Sequence, residues 1–257
     1  MVEFKRDLGT TSAYHANGCD CYDFESIHKK VYELSKLDTS VGSRTLEALQ
    51  VMERALDLYG SNGLAISFNG GKDCTVLLHL LAAVIYQRHL QSGGNRGSFL
   101  HSKIKSVYVR TPRPFDEVEE FVQDCVRNYG LDLISTPGPM KQGLQSYLDQ
   151  RPEIKAVLVG TRRTDPHGAK LTHFLPTDPG WPTMMRIHPI IDWDYSDIWD
   201  FLLDLQVPYC PLYNIGYTSL GCVNNTFPNP NLRNDERSCG FDPAWKLVNG
   251  NQERDGR

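Results

Sequence analysis

The stretch Leu64-Ala65-Ile66-Ser67-Phe68-Asn69-Gly70-Gly71-Lys72-Asp73-Cys74 decides the fold of this chain. Its first five residues form a short apolar run of strand character, bounded by a polar glycine turn. Residues 75–89 then read as a helix that is apolar nearly all round. Such a helix must be buried, here against a parallel sheet. In the turn, Gly70 and Gly71 let the backbone approach a ligand closely, while the free N–H groups and the dipole of the next helix favour an anion. The turn is not a Walker A loop, because that pattern needs Ser or Thr after the lysine and a glycine five residues before the second one. Asp73 and Ile66 occupy those positions. A plain βα turn capped by Asp73 would account for a lone Gly-Gly. Strand, Gly-Gly-Lys-Asp and a wholly apolar helix together favour phosphate binding.

The same alternation extends outward. Upstream, residues 44–59 set Leu46, Leu49, Leu56 and Tyr59 on one helical face, and Gly60-Ser61-Asn62-Gly63 breaks the helix before the strand. Downstream, residues 93–98 read as an exposed loop, 106–110 as a strand, and 116–128 as a helix with Val118, Phe121, Val122 and Cys125 on one stripe. Residues 131–136, 141–151 and 156–160 continue as strand, helix and strand. Right-handed crossovers then give an α/β fold, a doubly wound, mostly parallel sheet. Residues 161–183 form a long loop, of a length that is usually functional or disordered. Residues 184–191 return as a strand and 195–205 as a helix opened by Asp194 and Ser196, with Trp193 and Trp199 in the core. The expected division is an N-terminal arm 1–43, an α/β core 44–205 and an irregular C-terminal subdomain and tail 206–257.

Composition narrows the class of function. Among 257 residues, 27 basic against 31 acidic side chains give a formal charge of −4, which argues against a broad nucleic-acid footprint. The longest apolar stretch, residues 77–86, is interrupted by His79 and falls well short of the roughly 18 residues a bilayer span needs. Residues 1–7 carry no apolar leader, so no secretory signal is expected. Seven scattered cysteines suggest reduced thiols and a cytoplasmic location. Cys19 and Cys21 with His15 resemble half of a metal site, but the complementary pair is missing, and a mobile polar arm is the preferred reading.

Two further segments carry chemistry. Gly160-Thr161-Arg162-Arg163-Thr164-Asp165-Pro166 ends a buried strand, and strand C-terminal ends are where open α/β sheets bind ligands. Arg162 and Arg163 offer planar donors to phosphate, and Asp165 an oxygen to a divalent metal. A surface ion pair explains either arginine singly, but not the pair ending a buried strand. In Thr177-Asp178-Pro179-Gly180-Trp181-Pro182, followed by Arg186, the indole offers a stacking face and Asp178 an acceptor, a combination suited to a planar heterocycle. His188, between apolar neighbours, is expected to be a satisfied core histidine.

These residues resemble a known family. The glycine turn is similar to the PP-loop of the adenylyl-pyrophosphate-splitting enzymes of the PAPS reductase-like superfamily. The Gly160–Pro166 and Asp178-x-x-Trp181 segments narrow the resemblance to the eukaryotic, fungal-type FAD synthetases (FMN adenylyltransferases). So do Leu212-Tyr213-x-x-Gly216-Tyr217-Thr218-Ser219-Leu220-Gly221 and the closing Glu253-Arg254-Asp255-Gly256-Arg257. The resemblance implies transfer of AMP from ATP to the phosphate of FMN, giving FAD and pyrophosphate with Mg2+. It implies ATP and pyrophosphate contacts from Ser67, Asn69, Gly70, Gly71, Lys72, Asp73 and Val109. FMN and FAD contacts fall to Gly160, Arg162, Arg163, Asp165, Asp178, Trp181 and Arg186, and metal contacts to Asp73 and Asp165. Asn69, Asp73, Asp165, Arg254 and Arg257 would be catalytic, the tail completing the site of a monomer that takes only small-molecule partners. Cys74 departs from the serine usual in the PP-loop, which puts a direct phosphate contact there in doubt. Two other readings stand beside this one. A sulfonucleotide reductase would need Glu-Cys-Gly-Leu/Ile-His, whereas Ser238-Cys239-Gly240-Phe241-Asp242 lacks both the Glu and the His. A catalytically silent flavin-binding module would carry the same motifs.

Overall fold

The computed structural model describes residues 22–95 and 103–257; His15, Cys19, Cys21 and residues 96–98 of the expected loop lie outside them. Six strands form one sheet: β1 Leu64–Ser67, β2 Ile104–Arg110, β3 Leu131–Pro137, β4 Ala156–Leu158, β5 Phe174–Pro176 and β6 Met185–Ile187. Their order is β3-β2-β1-β4-β6-β5, parallel throughout except that β5 runs antiparallel to β6. Six α-helices accompany them among the described residues: α1 Phe24–Leu34, α2 Ser40–Gly63, α3 Lys72–Gln91, α4 Asp116–Tyr129, α5 Met140–Gln150 and α6 Tyr195–Asp204. The expected α/β architecture is what forms.

Alternation along the strands sorts side chains onto two faces. Leu64 and Ile66 of β1 join the larger core with α1, α2, α3, α4 and α6. Ala65, between them, points the other way, to Leu144 and Tyr147 of α5 with Val107, Val157 and Met184. Helix α3 is buried on nearly every side, from Lys72 through Val84. Its enclosure comes largely from the helices α1, α2 and α6, not from the sheet alone.

Several boundaries differ from the sequence reading. Packing begins before residue 44: Phe24, Ile27, Val31 and Leu34 recur at helical spacing and are buried against the core, so this part of the expected arm is a structural helix. In α2 the buried side is Val41, Ala48, Leu49, Met52 and Ala55, while Leu46 faces outward. Gly60 does break α2, at φ 65° and ψ 170°. The expected strand 184–191 shortens to β6, since Pro189 has no N–H for a ladder. The long loop contains β5, an edge strand ending in Pro176. His188, Trp193 and Trp199 are buried as expected; His188 Nδ1 donates to Thr172 O at 2.9 Å.

The sheet order creates the binding position. β1 is followed by β2 on one side, and the chain later returns through β4 on the other. The crevice beyond the C-terminal ends of β1 and β4 is therefore a topological switch point, where open α/β sheets receive ligands.

Candidate active site

The glycine turn leaves β1 at this switch point. Gly70 adopts φ +75°, and a Cβ there would lie 3.1 Å from Val122 Cγ2 of α4, so the loop needs glycine for both conformation and space. Asn69 Oδ1 accepts from Gly71 N at 3.0 Å and closes the turn on itself. Cys74 Sγ lies 3.0 Å from Asn69 Oδ1 and 3.1 Å from Gly71 O, one of which takes its single proton. Burial pushes this thiol up to about 12, so it stays protonated as a loop staple. Gly160, at the exit of β4, presses on the same turn: a Cβ there would meet the Asp73 carbonyl carbon and Cys74 N, each at 3.2 Å.

Lys72 and Arg162 turn inward in the structure. Both were expected on substrate phosphate, yet their side chains are only 2% and 1% exposed. Lys72 Nζ bonds Asp73 Oδ2 at 3.1 Å and Glu253 Oε1, beneath the rings of Tyr195 and Tyr213. Arg162 sets Nε 2.7 Å from Asp73 Oδ1 and donates from Nη2 to Glu253 Oε2. Two cations and two carboxylates thus alternate in a closed ring with no net charge. Burial works against ionising Asp73, but Lys72 and Arg162 outweigh it and hold the carboxyl below its ordinary range. Burial likewise opposes the Arg162 charge, and Asp73 and Glu253 more than restore it.

Arg163 also departs from expectation. Its Nε meets Asp192 Oδ1 at 2.5 Å and its Nη1 reaches the carbonyls of Ala169 and Leu171 at 3.1 Å each. It ties down the long loop instead of facing the glycine turn. Glu47, His173 and Asp192, the cluster of metal-ligating composition among the described residues, is already served by Arg44 and Arg163.

The tail brings two further cations to this end of the sheet. Arg254 Nη2 donates to Asp165 Oδ1 at 2.9 Å, while Asp165 Oδ2 accepts from Arg162 N at 2.9 Å. Arg257 Nη1 reaches Ser219 Oγ at 3.2 Å, and a Cβ on Gly221 would intrude to 2.7 Å from its Nη2. Burial, and after it the neighbouring Arg254 charge, lower the pKa of Arg257. The tail is tethered by its backbone: Phe227 N donates to Gly256 O at 2.8 Å and Thr218 Oγ1 to Glu253 O at 2.7 Å. Leu247 is buried as an anchor, but Val248 is fully exposed.

Asp178, Trp181 and Arg186 assemble on the sheet face that α5 covers. Arg186 pairs in register with Val157, its Nη1 lies 3.4 Å from Asp178 Oδ2, and its Nη2 donates to Pro176 O at 3.0 Å. Its buried Nε has no hydrogen-bond partner among the described residues. Trp181 is 39% exposed and Gly180 lies beside Lys141 of α5. An open indole beside an unspent guanidinium nitrogen is a place for a planar polar ring. Ser67 closes β1, and Val109 lies one strand over on β2.

Reading the sequence alone gives no role to Glu253, Tyr213, Thr218 or Asn229. Tyr213 Oη accepts from Lys72 N at 2.9 Å at the start of α3, and Asn229 Nδ2 donates to Thr218 Oγ1 and Gln252 O. For Tyr213, Thr218 and Glu253 the only signal is membership of the Leu212–Gly221 and tail segments; Asn229 lies in neither.

Residues 63–228 match the phosphoadenosine phosphosulfate reductase domain model. The chain is 42% identical over 210 residues to a probable FAD synthase of Schizosaccharomyces pombe, covering 82% of this chain and 77% of that protein. It is 40% identical to a probable FAD synthase of Caenorhabditis briggsae over 82% of its own length, but spans only 39% of that longer relative. Among solved structures, it superposes on Candida glabrata FMN adenylyltransferase in complex with FMN and the ATP analog AMPCPP. That match has a TM-score of 0.80 at 26% identity, covering 91% of this chain and 95% of the other.

Proposed function

The chain belongs to the FAD synthase family, and from that premise we propose that it is an FMN adenylyltransferase. An oxygen of the FMN phosphate attacks the α-phosphorus of ATP, the bond to the β-phosphate oxygen breaks, and FAD and pyrophosphate leave. The nucleophile is already ionised at neutral pH, so no strong general base is needed. The protein's task is to align two anions and neutralise charge growing on the leaving group.

The observation that carries this reading is the closure of the tail over the glycine turn. With Lys72 and Arg162 neutralised inside the ring, the turn N–H groups, the start of α3, Arg254 and Arg257 are the positive elements left to face phosphates. The turn from Asn69 to Asp73 receives the pyrophosphate, and the backbone near Ser67 and Val109 the adenosine half. Gly160 and Asp165 border the reacting phosphates, and Asp178, Trp181 and Arg186 take the isoalloxazine ring. A reductase would need an activated thiolate in the C-terminal segment, and Cys239 there lacks the Glu and His that would flank it.

Asp73 and Asp165 suit Mg2+ as hard oxygen donors: Asp73 Oδ1, though ion-paired with Arg162 Nε at 2.7 Å, accepts no well-aligned hydrogen bond among the described residues. When bound there with the nucleotide, the ion supplies charge neutralisation to the phosphates. The enzyme is proposed to act as a monomer. Five free cysteines among the described residues suit a reducing, cytoplasmic setting, and no described helix is long and apolar enough to cross a membrane.

Incubation with FMN, ATP and Mg2+, followed by chromatography of the products, tests the proposal. FAD accumulating well beyond one equivalent of protein supports it. FAD that never exceeds one equivalent would mark a flavin carrier.

A further inference from the structure

We propose that Glu253 is a positioning residue for this reaction, locking the arginine-bearing tail against the glycine turn through the buried charge ring. The inference rests on the adenylyltransferase reading for its kinetic consequence, though not for its structural one.

Glu253 is the buried charged side chain of the tail: its carboxyl is 9% exposed, whereas Arg254, its neighbour, is 44% exposed. Its two oxygens are divided, one on Lys72 Nζ and the other on Arg162 Nη2. Those two cations also hold the two oxygens of Asp73. The ring therefore joins three segments far apart in sequence: the start of α3, the exit of β4 and the C-terminal tail. Each carries a group that faces substrate in the proposed reaction, namely the Gly70-Gly71 amides, Asp165 and the pair Arg254 and Arg257. Asp165 is itself bound to Arg162 N and to Arg254, so a second set of bonds follows the same three segments.

Each ring cation is bracketed by two carboxylates, which fixes its position from both sides. Without the Glu253 carboxylate, Lys72 and Arg162 have only Asp73 to share, and one buried positive charge is left uncompensated. The tail then keeps its backbone tethers at Thr218 and Phe227 and its exposed side-chain bonds from Arg254 to Asp165, Arg257 to Ser219 and Asn231 to Asp255, but loses its buried side-chain anchor, the contact that sets the depth of Arg254 and Arg257. A misplacement of this kind acts on a transition state more than on substrate binding. Glu253 touches no substrate in this account; it acts through the two arginines.

The test uses E253Q, E253D, R254A/R257A and the triple variant E253Q/R254A/R257A, all in the full chain. Hydrogen exchange of residues 250–257 is read first, independently of activity, and is expected to be at least tenfold faster in E253Q than in wild type. Steady-state FAD synthesis is read second. E253Q should lower kcat tenfold or more with KM for FMN within about threefold, and E253D should recover part of that loss. In the R254A/R257A background, E253Q should change kcat by no more than about twofold, because the arginines it places are gone. Unchanged exchange in E253Q, or a kcat loss that multiplies fully with the arginine substitutions, would overturn the proposal. If E253Q fails to fold, E253D carries the same two readouts. A wild-type protein that makes no FAD sinks the adenylyltransferase reading, and the exchange experiment still decides whether Glu253 holds the tail.

Discussion

Replacing Arg162 with alanine separates two roles that the sequence does not distinguish. As an exposed phosphate ligand, Arg162 would contribute little to stability, and its loss would fall on nucleotide affinity. In the structure its guanidinium is buried between Asp73 and Glu253, so removal leaves two buried carboxylates sharing the single cation of Lys72. Breaking a buried pair by removing one partner costs about 3–5 kcal/mol. For a chain of this size each kcal/mol shifts the midpoint by about 2–4 °C, so Tm should fall by about 6–20 °C at pH 7. The loss should depend on pH with a definite sign. The ring holds the Asp73 carboxyl below its unfolded value of 3.8, so its contribution is present above that pH and disappears as pH falls through the lower folded value. The gap in Tm between wild type and R162A should therefore narrow below about pH 4. Scanning calorimetry at pH 7 and at pH 3 to 4 measures both effects. A midpoint within 2 °C of wild type at pH 7 would refute the ring as a structural element (about 1 kcal/mol or less).

Other outcomes can be checked alongside. Asp178→Ala should weaken FMN and FAD by about 1–3 kcal/mol in a flavin fluorescence titration, with far less effect on ATP; equal losses for both would point to a structural role. Gly160→Ala drives a methyl into backbone at 3.2 Å, so the glycine turn must shift, and kcat/KM for ATP should fall at least tenfold in a well-folded protein. Deleting Arg254 through Arg257 should lower kcat more than it raises KM for FMN, with Tm nearly unchanged because Glu253 and Leu247 remain; unchanged kcat would show the last four residues to be bystanders.

Much of the fold is legible because it is written in local pattern. The run from Leu64 to Phe68, the two glycines and the all-apolar helix behind them place the binding end of the sheet without reference to anything distant. Helix α1 carries an equally readable stripe, Phe24, Ile27, Val31 and Leu34, that a reading of the segment as a polar arm passes over. β5 is different: three residues ending in proline have no periodicity to detect, and its strand character comes from pairing with β6. The site divides the same way. Asn69, Gly70 and Gly71 act within five residues of one another, so spacing reveals them. Glu253 meets partners 181 and 91 positions away, and nothing in Glu-Arg-Asp-Gly-Arg says which of its charges turns inward.

That division has a chemical reason. A phosphate-transfer site needs positive charge that can respond to a changing anion, and it also needs a loop that does not move. One side chain serves both demands poorly, because a cation locked by two carboxylates has little field left to offer a substrate. Here Lys72 and Arg162, which sit on the rigid elements α3 and the exit of β4, are the ones neutralised, and their long side chains hold loop, strand and tail in register. The guanidinium groups that the proposed reaction assigns to substrate, Arg254 and Arg257, sit on the tail that Glu253 anchors. Had the charges been assigned the other way, the tail arginines would hold the ring and the lysine of the glycine turn would face the phosphates, as in a Walker loop. The burial of Lys72 beneath Tyr195 and Tyr213 excludes that arrangement in this structure, and under the proposed reaction it leaves the tail arginines as a working part of the site instead of its border.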